Sequence, residues 1–374
     1  MMNKNLINLS VGLFEKFIDS SDLLEKARFT PPDESTLEEL KYFFYNLSDQ
    51  KIAKLPRQKH IAQYLSHADK QLIAVNWLIS SDDAKQIAEN IGVAVRIIDL
   101  KEYHFLIFQY PLDIKPKSDI DPEILEDEVL GMVRMGQTVD VVTLQNLSNP
   151  ITLLEVEKGS ALDIDSTDRI GYFLLTFGNQ IENLGISPKT MDLSRHLLLT
   201  EHALFPLVNI PTALSLNEPK YVFLEFYRCL ELVFVMPRVE KLSARFKPFF
   251  EMGSSPPKLS QIAKWCSNDL GWHRVERKSI RQLMSLLAEH DPFPMQALCQ
   301  SVNILKNRDV ISADWTPNKR EVESLADTLY DIRNQVAHQF WPEDEKELTA
   351  NEFGALTEFI AESLSFLYEK YPEI

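Results

Sequence analysis

The stretch TPNKREVESLADTLYDIRNQVAHQFWP, residues 316–342, predicts one long amphipathic helix with well-marked ends. Thr316 is a preferred amino-terminal cap, Pro317 suits the first helical position, and Pro342 cannot continue a helix. At about 100° per residue, the apolar side chains of this helix fall in one narrow stripe. The stripe consists of Val322, Leu325, Leu329, Ile332, Val336 and Phe340. The sequence therefore predicts that this face packs on neighbouring helices.

The opposite face of the same helix is polar and carries Asp327, Asp331, Asn334 and His338. One interpretation is a solvated surface, with a histidine near the carboxyl end where the helix dipole favours a cation. The other interpretation starts from chemistry. Metal-independent RNA cleavage needs a group that titrates near neutrality and a cation that holds phosphate oxygens, and His338 and Arg333 suit these two roles.

Arg333, Asn334 and His338 resemble the signature of the HEPN superfamily, named for its higher eukaryotic and prokaryotic nucleotide-binding members. In that signature an arginine and a polar residue are followed, after a short variable spacer, by a histidine. Here four residues, Asn334 to Ala337, separate the arginine from the histidine. The position late in a run of predicted helices, with one more helix after it, is also similar to that family. The resemblance covers the region after residue 215 only.

The resemblance implies a metal-independent endoribonuclease, of the toxin or phage-defence kind, whose active site forms where two motif helices meet in a homodimer. On this basis His338 would transfer a proton, Arg333 would bind the phosphate, and Asn334 would orient them. Implied partners are RNA, a second copy of the chain, and an antitoxin or a phage-derived trigger. On an ideal helix Arg333 lies about 140° from His338. The arginine's length, a helix distortion or assembly from two chains would have to reconcile the two directions.

A second predicted helix, FLEFYRCLEL at residues 223–232, is apolar except for Glu225, Arg228 and Glu231 on about one third of its circumference. Charges on such a helix must be paired. They form either an internal pair that fixes helix register, or a site in which an acid holds Arg333 or a second arginine joins the phosphate site. The predicted supporting residues are Glu225, Arg228 and Asp331.

Charge is distributed unevenly along the chain. The net charge of -16 argues against a protein that coats nucleic acid through bulk electrostatics. Residues 219–281, however, hold 12 Lys and Arg against 6 Asp and Glu, whereas residues 282–374 hold 7 against 17. A basic cluster beside Trp272 and His273 suits a phosphate backbone and unstacked bases. The predicted RNA-binding residues are Arg274, Arg277, Lys278 and Arg281. The alternative is that this basic face meets the acidic segment 282–374 or the acidic amino-terminal part.

Composition changes near residue 215. Before it, helices are predicted from the capping box of Ser35 and Glu38 and between Ser80 and Gly92. Strands are predicted at QLIAVNWLI (71–79), VAVRIIDL (93–100), EYHFLIFQY (102–110), TVDVVTL (138–144), ITLLEVE (151–157) and GYFLLTF (171–177). After it, helices are predicted at 219–236, 258–269, 276–289, 294–306, 317–340 and 350–370. We therefore predict an α+β sensor or regulatory domain over 1–215 and an all-α HEPN-like helical bundle over 216–374.

Several classes of protein and site are disfavoured by the sequence. The three cysteines, Cys229, Cys266 and Cys299, are widely spaced and odd in number, which fits neither a disulfide framework nor a zinc knuckle. No apolar run approaches the ~20 residues that a bilayer requires, and a secretory signal is lacking. The spacing of the histidines and glycines matches no metal or nucleotide motif. We expect a cytoplasmic protein without metal or cofactor that makes no use of a membrane.

Two other functions stay open. The first is a catalytically inactive HEPN-like bundle that serves as a dimerisation or binding module, which predicts a solvent-exposed His338 far from any second copy. The second is a purely structural bundle in which the motif is a coincidence, and it predicts a buried Arg333 paired only with a local acid such as Asp331.

Overall fold

The chain forms two compact units, residues 1–181 and 182–374. The predicted boundary between residues 215 and 216 lies inside the second unit. A computed structural model describes residues 47–54, 61–67, 70–101, 104, 108, 112, 114–117, 120–121, 145–157, 172–174, 176–177, 186–200, 208–251, 257–258, 261–262, 265, 276–306, 318–338 and 348–371. The predicted capping box at Ser35 and the predicted strand at 138–144 lie outside these residues.

The first unit contains a five-stranded antiparallel sheet in the order β1-β2-β3-β5-β4. Its strands are β1 (Leu47–Lys54), β2 (Ile61–His67), β3 (Lys70–Val75), β4 (Val95–Ile98) and β5 (Thr152–Glu157). Strand β3 lies at the centre, between β2 and β5, and its consecutive residues from Leu72 to Val75 are all buried. Because neighbouring side chains of a strand point to opposite faces, both faces of β3 are covered.

The predicted helix between Ser80 and Gly92 is confirmed as α1 (Ser81–Ile91). The Ser80 hydroxyl accepts a hydrogen bond from the backbone N–H of Asp83 at 3.0 Å, and the Asp83 carboxylate accepts one from the N–H of Ser80 at 2.9 Å. Gly92 ends the helix with φ 69°, a left-handed conformation that glycine adopts without steric cost.

Two predicted strands are wrong. In the run at 102–110, His104 and Phe108 are helical, and the N–H of Leu112 donates to the carbonyl of Phe108. In the run at 171–177, residues 172–174 are helical. Short apolar runs have no periodicity that separates a buried strand from a buried helical turn.

The second unit is helical. Its helices are α2 (Pro188–Leu199), α3 (Asn209–Leu214), α4 (Pro219–Val233), α5 (Met236–Glu251), α6 (Glu276–His290), α7 (Phe293–Ser301), α8 (Asn303–Lys306), α9 (Lys319–His338) and α10 (Ala350–Lys370). An α+β region followed by a helical region is therefore confirmed at this level.

The helix boundaries differ from the prediction at several points. Helices α2, α3 and α5 were not predicted, and the predicted helix at 294–306 is divided by the extended backbone of Val302. Pro237 directly follows the predicted helix at 219–236, but in the structure it lies in the first turn of α5. In that turn the missing N–H of proline costs nothing. Helix α9 begins at Lys319, and the side chain of Asn318 accepts from the N–H of Glu321 at 3.1 Å. The predicted cap Thr316 and the predicted first helical residue Pro317 lie outside the described residues.

Aromatic packing of α4 against α10 holds the helical core. The ring of Phe223 lies 5.9 Å from both Tyr227 and Phe353, and all three side chains are buried. Helix α9 packs on α6 and α4. Its apolar stripe is buried as predicted, at Val322, Leu325, Leu329, Ile332 and Val336, whereas Phe340 lies outside the described residues. This packing fixes which side chains of α9 reach the surface.

Candidate functional site

Arg333 points from α9 towards α4 and is held there by two acceptors. Its Nε donates to Oε1 of Glu231 at 2.9 Å, and its Nη2 lies 2.7 Å from the same oxygen. Its Nη1 donates to Oδ1 of Asn334 at 3.0 Å. The structure therefore joins Arg333 and Asn334, two of the three motif residues, and adds a third group, Glu231, from another helix.

The ion pair between Arg333 and Glu231 is largely removed from water. The two side chains are 20% and 18% exposed. Burial raises the pKa of the Glu231 carboxyl, and the positive charge and hydrogen bond of Arg333 offset only part of that rise. Loss of the arginine would therefore raise the pKa of the Glu231 carboxyl further.

Tyr227, one turn before Glu231 on α4, is buried near this pair, with 1% of its surface exposed. Burial raises the pKa of its phenol, and the nearby carboxylate of Glu231 raises it further. Its hydroxyl has no hydrogen-bond partner within the described residues. Tyr227 is therefore a buried, neutral neighbour of the ion pair.

His338 is the last residue of α9 and is exposed. Within the part of the chain that the structure describes, it makes no hydrogen bond or ion pair. It is five residues beyond Arg333, which corresponds to about 7.5 Å along the helix axis and about 140° around it. Among the described residues the imidazole is therefore exposed and unpaired, and the guanidinium is turned towards α4.

Both alternatives from the sequence can be compared with these contacts. The exposure of His338 agrees with the binding-module alternative. The coincidence alternative requires Arg333 to pair with a local acid, but its carboxylate partner lies on another helix, and Asp331 pairs elsewhere. Within the described residues Arg333 and His338 make no hydrogen bond or ion pair with each other, so the separation of about 140° around the helix is not bridged by a direct contact.

Glu225 and Arg228, predicted as supporting residues, contact each other rather than Arg333. The Glu225 carboxylate pairs with Nη1 of Arg228 and accepts from Nδ2 of Asn209 at 2.8 Å. Glu225 is buried, whereas the Arg228 side chain is 51% exposed. The predicted internal pair of α4 is therefore present. The acid that holds Arg333 is Glu231, six residues after Glu225 on the same helix.

The basic cluster on α6 meets the acidic face of α9. Nη2 of Arg277 lies 2.5 Å from Asp331, and Nε of Arg281 donates to Asp327 at 2.8 Å. The guanidinium of Arg277 also lies 5.0 Å from the ring centre of Tyr330. The alternative that this basic face meets the acidic segment is therefore confirmed for two of the predicted RNA-binding residues. Arg274 lies outside the described residues.

A groove of about 1120 Å³ runs between α6 and the amino-terminal half of α9. Two exposed lysines on its wall, Lys278 and Lys319, make no ion pair with any described residue. The acids Glu289 and Glu323 also line it, and Val322 contributes an apolar part. The groove can therefore contact phosphates through its lysines and apolar groups through its floor.

The described residues offer neither a metal site nor a membrane-spanning helix. They contain no group of three or more His, Cys, Asp and Glu side chains that could hold a metal ion. They also include no helix that combines the length and apolarity needed to cross a bilayer.

Lys319 was not predicted from the sequence, and Glu231 was not chosen among the predicted supporting residues. The sequence places both Glu225 and Glu231 on the charged face of α4. Which of the two carboxylates reaches Arg333 depends on how far α4 is shifted along α9, and that shift cannot be read from the sequence. Lys319 is the first residue of α9, whereas the helix start was predicted two residues earlier, at residue 317.

Comparison of the chain with protein-family models, curated proteins and solved structures finds no match. The HEPN resemblance therefore rests on the motif and on its position in a helical unit.

Proposed function

We propose that the helical unit is a HEPN-type, metal-independent endoribonuclease that acts as a homodimer. The observation that carries the proposal is the arrangement of the last two turns of α9. There Arg333 and Asn334 are bonded to each other and supported by Glu231, while His338 stays open to solvent. The first unit would act as sensor or regulator, in a cytoplasmic toxin or phage-defence setting, with an antitoxin or phage-derived trigger as a further partner.

The chemistry proposed for this site is transfer of a phosphoryl group within RNA, from the 5′-oxygen of one nucleotide to the 2′-oxygen of the nucleotide before it. The 2′-oxygen attacks phosphorus, His338 takes the 2′-hydroxyl proton, and the bond from phosphorus to the 5′-oxygen breaks. Arg333 holds the non-bridging oxygens as negative charge develops on them. A second copy of the chain supplies the other histidine, which gives a proton to the leaving 5′-oxygen.

The products test this mechanism directly. We expect cleavage of single-stranded RNA to continue in EDTA and to give a 2′,3′-cyclic phosphate and a free 5′-hydroxyl. The ends can be identified by mass spectrometry and by whether a kinase labels the 5′ end without prior dephosphorylation. A 5′-phosphate product would exclude the 2′-hydroxyl as nucleophile.

The groove between α6 and α9 offers the RNA backbone two exposed lysines, Lys278 and Lys319, that pair with no described residue. We expect Lys278→Ala and Lys319→Ala each to reduce the slope of log affinity against log salt by about 0.7, the value for one phosphate contact on a single strand. Affinity is measured by fluorescence anisotropy with a 2′-O-methylated oligonucleotide, which cannot be cleaved by this mechanism.

Lys85→Ala is the matched control for these variants. Lys85 is an exposed lysine of α1 that lies 3.2 Å from Asp82. It lies in the first unit and does not line the groove. Unchanged salt slopes in both groove variants would mean that RNA does not follow this surface.

The second candidate function is an inactive HEPN-like dimerisation or binding module. The pairing of Arg333 with Glu231 favours it, because a neutralised arginine attracts a phosphate less strongly than a free one. This alternative predicts dimerisation and RNA or protein binding without cleavage.

A further inference from the structure

We propose that Glu231 is a positioning residue, which fixes the guanidinium of Arg333 so that its remaining N–H groups face one phosphate. This inference rests on the proposed function, because it assigns a phosphate to Arg333. It concerns a carboxylate on α4, outside the motif helix.

The hydrogen bonds of Arg333 leave a defined set of donors. A guanidinium has five N–H groups. Glu231 engages Nε and Nη2 along one edge of the group, and Asn334 engages Nη1. Within the described residues, at least one N–H on each terminal nitrogen is then left for an anion. Two N–H groups of a planar fork match two oxygens of one phosphate.

The same contacts restrict the direction of the arginine. A free arginine side chain samples many rotamers, and binding a phosphate would require it to select one of them. Here the two partners come from different helices, so both the tilt and the rotation of the guanidinium are fixed before an anion arrives. Preorganised donors of this kind avoid reorganisation during the reaction.

The surroundings of Glu231 keep its carboxylate in place. The side chain is 18% exposed, and the nearby Tyr227 is buried. The other charged groups near Glu231 are Arg228 on its own helix, Arg333 on α9, and Glu276 on α6. Among these, only Arg333 contacts the Glu231 carboxylate within the described residues.

An alternative role for Glu231 is structural, in which the pair joins α4 to α9 and has no effect on an anion. The two roles differ in what a conservative change does. Glu231→Gln keeps the size and one acceptor oxygen but removes the charge, whereas Glu231→Asp keeps the charge on a shorter side chain. Glu225→Gln changes a second buried carboxylate of α4 that does not contact Arg333.

The first measurement is the side-chain Nε–H resonance of Arg333, in protein labelled with ¹⁵N-arginine and assigned through Arg333→Lys. We expect a rigid Nε–H group in the wild type that shifts when a 2′-O-methylated oligonucleotide is added. In Glu231→Gln the group should become mobile, and the affinity reported by its shift should fall at least about tenfold. Glu225→Gln should leave the resonance rigid, and Glu231→Asp should retain part of the effect.

The second measurement is steady-state cleavage by the same variants. We expect Glu231→Gln to lower kcat by about a hundredfold, because misplacing a catalytic group by about 1 Å has an effect of that size. KM should change much less, since other groups bind the rest of the RNA.

The two measurements separate the inference from the proposed function. If the wild type does not cleave RNA but the oligonucleotide shifts Arg333 in a Glu231-dependent way, the positioning role stands and the nuclease proposal fails. If the wild type cleaves and Glu231→Gln cleaves equally well per folded molecule, the nuclease stands and the positioning role is overturned. An oligonucleotide that leaves the Arg333 resonance unchanged overturns the inference in either case, and higher activity of Glu231→Gln would show that Glu231 competes with phosphate.

Discussion

Replacing His338 by alanine is expected to lower kcat/KM for RNA cleavage by about a hundred- to ten-thousandfold, the range for removal of a general acid or base. The fold should be unaffected. His338 is exposed at the end of α9 and contacts no described residue, and such surface changes alter the free energy of unfolding by less than about 0.5 kcal/mol. The measurements are single-turnover cleavage and thermal unfolding on the same preparation.

His196→Ala is the matched control for this prediction. His196 lies in the last turn of α2, its side chain is 59% exposed, and its Nε2 lies 3.8 Å from Glu369. It therefore resembles His338 in helix position and exposure but does not belong to the motif. Equal cleavage by wild type and His338→Ala would remove the catalytic role and favour the inactive module.

Replacing Arg333 by alanine should reduce both activity and stability. Loss of one preorganised donor group to a developing negative charge costs about a hundred- to a thousandfold in kcat. The free energy of unfolding should fall by about 2 kcal/mol, because Glu231 would lose its partner while remaining mostly buried. Both quantities can be measured with one variant, by cleavage kinetics and by urea unfolding.

The stability loss of Arg333→Ala should depend on pH in a defined direction. Burial already raises the pKa of Glu231 above its ordinary value of 4.5, and removing Arg333 raises it further. A folded state with a raised carboxyl pKa binds more protons than the unfolded state, so stability falls as pH rises above the ordinary value. The difference from wild type should therefore be small near that pH and grow towards neutrality.

The double variant Arg333→Ala with Glu231→Gln separates the two effects. Because it no longer leaves a charge unpaired, it should recover most of the lost stability and its pH dependence but none of the lost activity. A double variant as unstable as Arg333→Ala alone would show that the pair contributes through packing rather than charge.

The motif helix was the element that sequence predicted best. Its apolar residues recur with the helical period over five turns, and each described member of the stripe is buried. Such a long periodic pattern excludes a strand and fixes both faces. The capping box of Thr349 and Glu352 marks the start of α10 in the same local way, and the predicted bounds of 350–370 match those observed.

Elements without such local signals were missed. Helix α5 begins at Met236 and has Pro237 in its first turn, and a proline predicts a helix end as well as a helix start. Strands β1 and β2 contain charged and amide residues that interrupt an alternating apolar pattern, so their pairing depends on neighbouring strands. Tertiary pairing, rather than local preference, decides these segments.

The candidate site was predictable only in part, for a related reason. The residues of the motif lie close together in the sequence, so their helix and its polar face follow from local periodicity. Glu231 and Arg333 are separated by 102 positions, and their contact depends on how α4 and α9 pack. Likewise, Arg277 and Arg281 carry the composition of an RNA-binding cluster, but opposing aspartates on α9 become their partners.

The buried thiol of Cys229 has a consequence for the whole helical core. It lies on α4 with none of its surface exposed, its Sγ is 3.4 Å from the carbonyl oxygen of Glu225, and burial raises its pKa. A thiolate is the form that reacts with oxidants and alkylating agents. Modification of Cys229 must therefore wait until the helices around it separate, so the rate of its modification measures how often the core opens under native conditions.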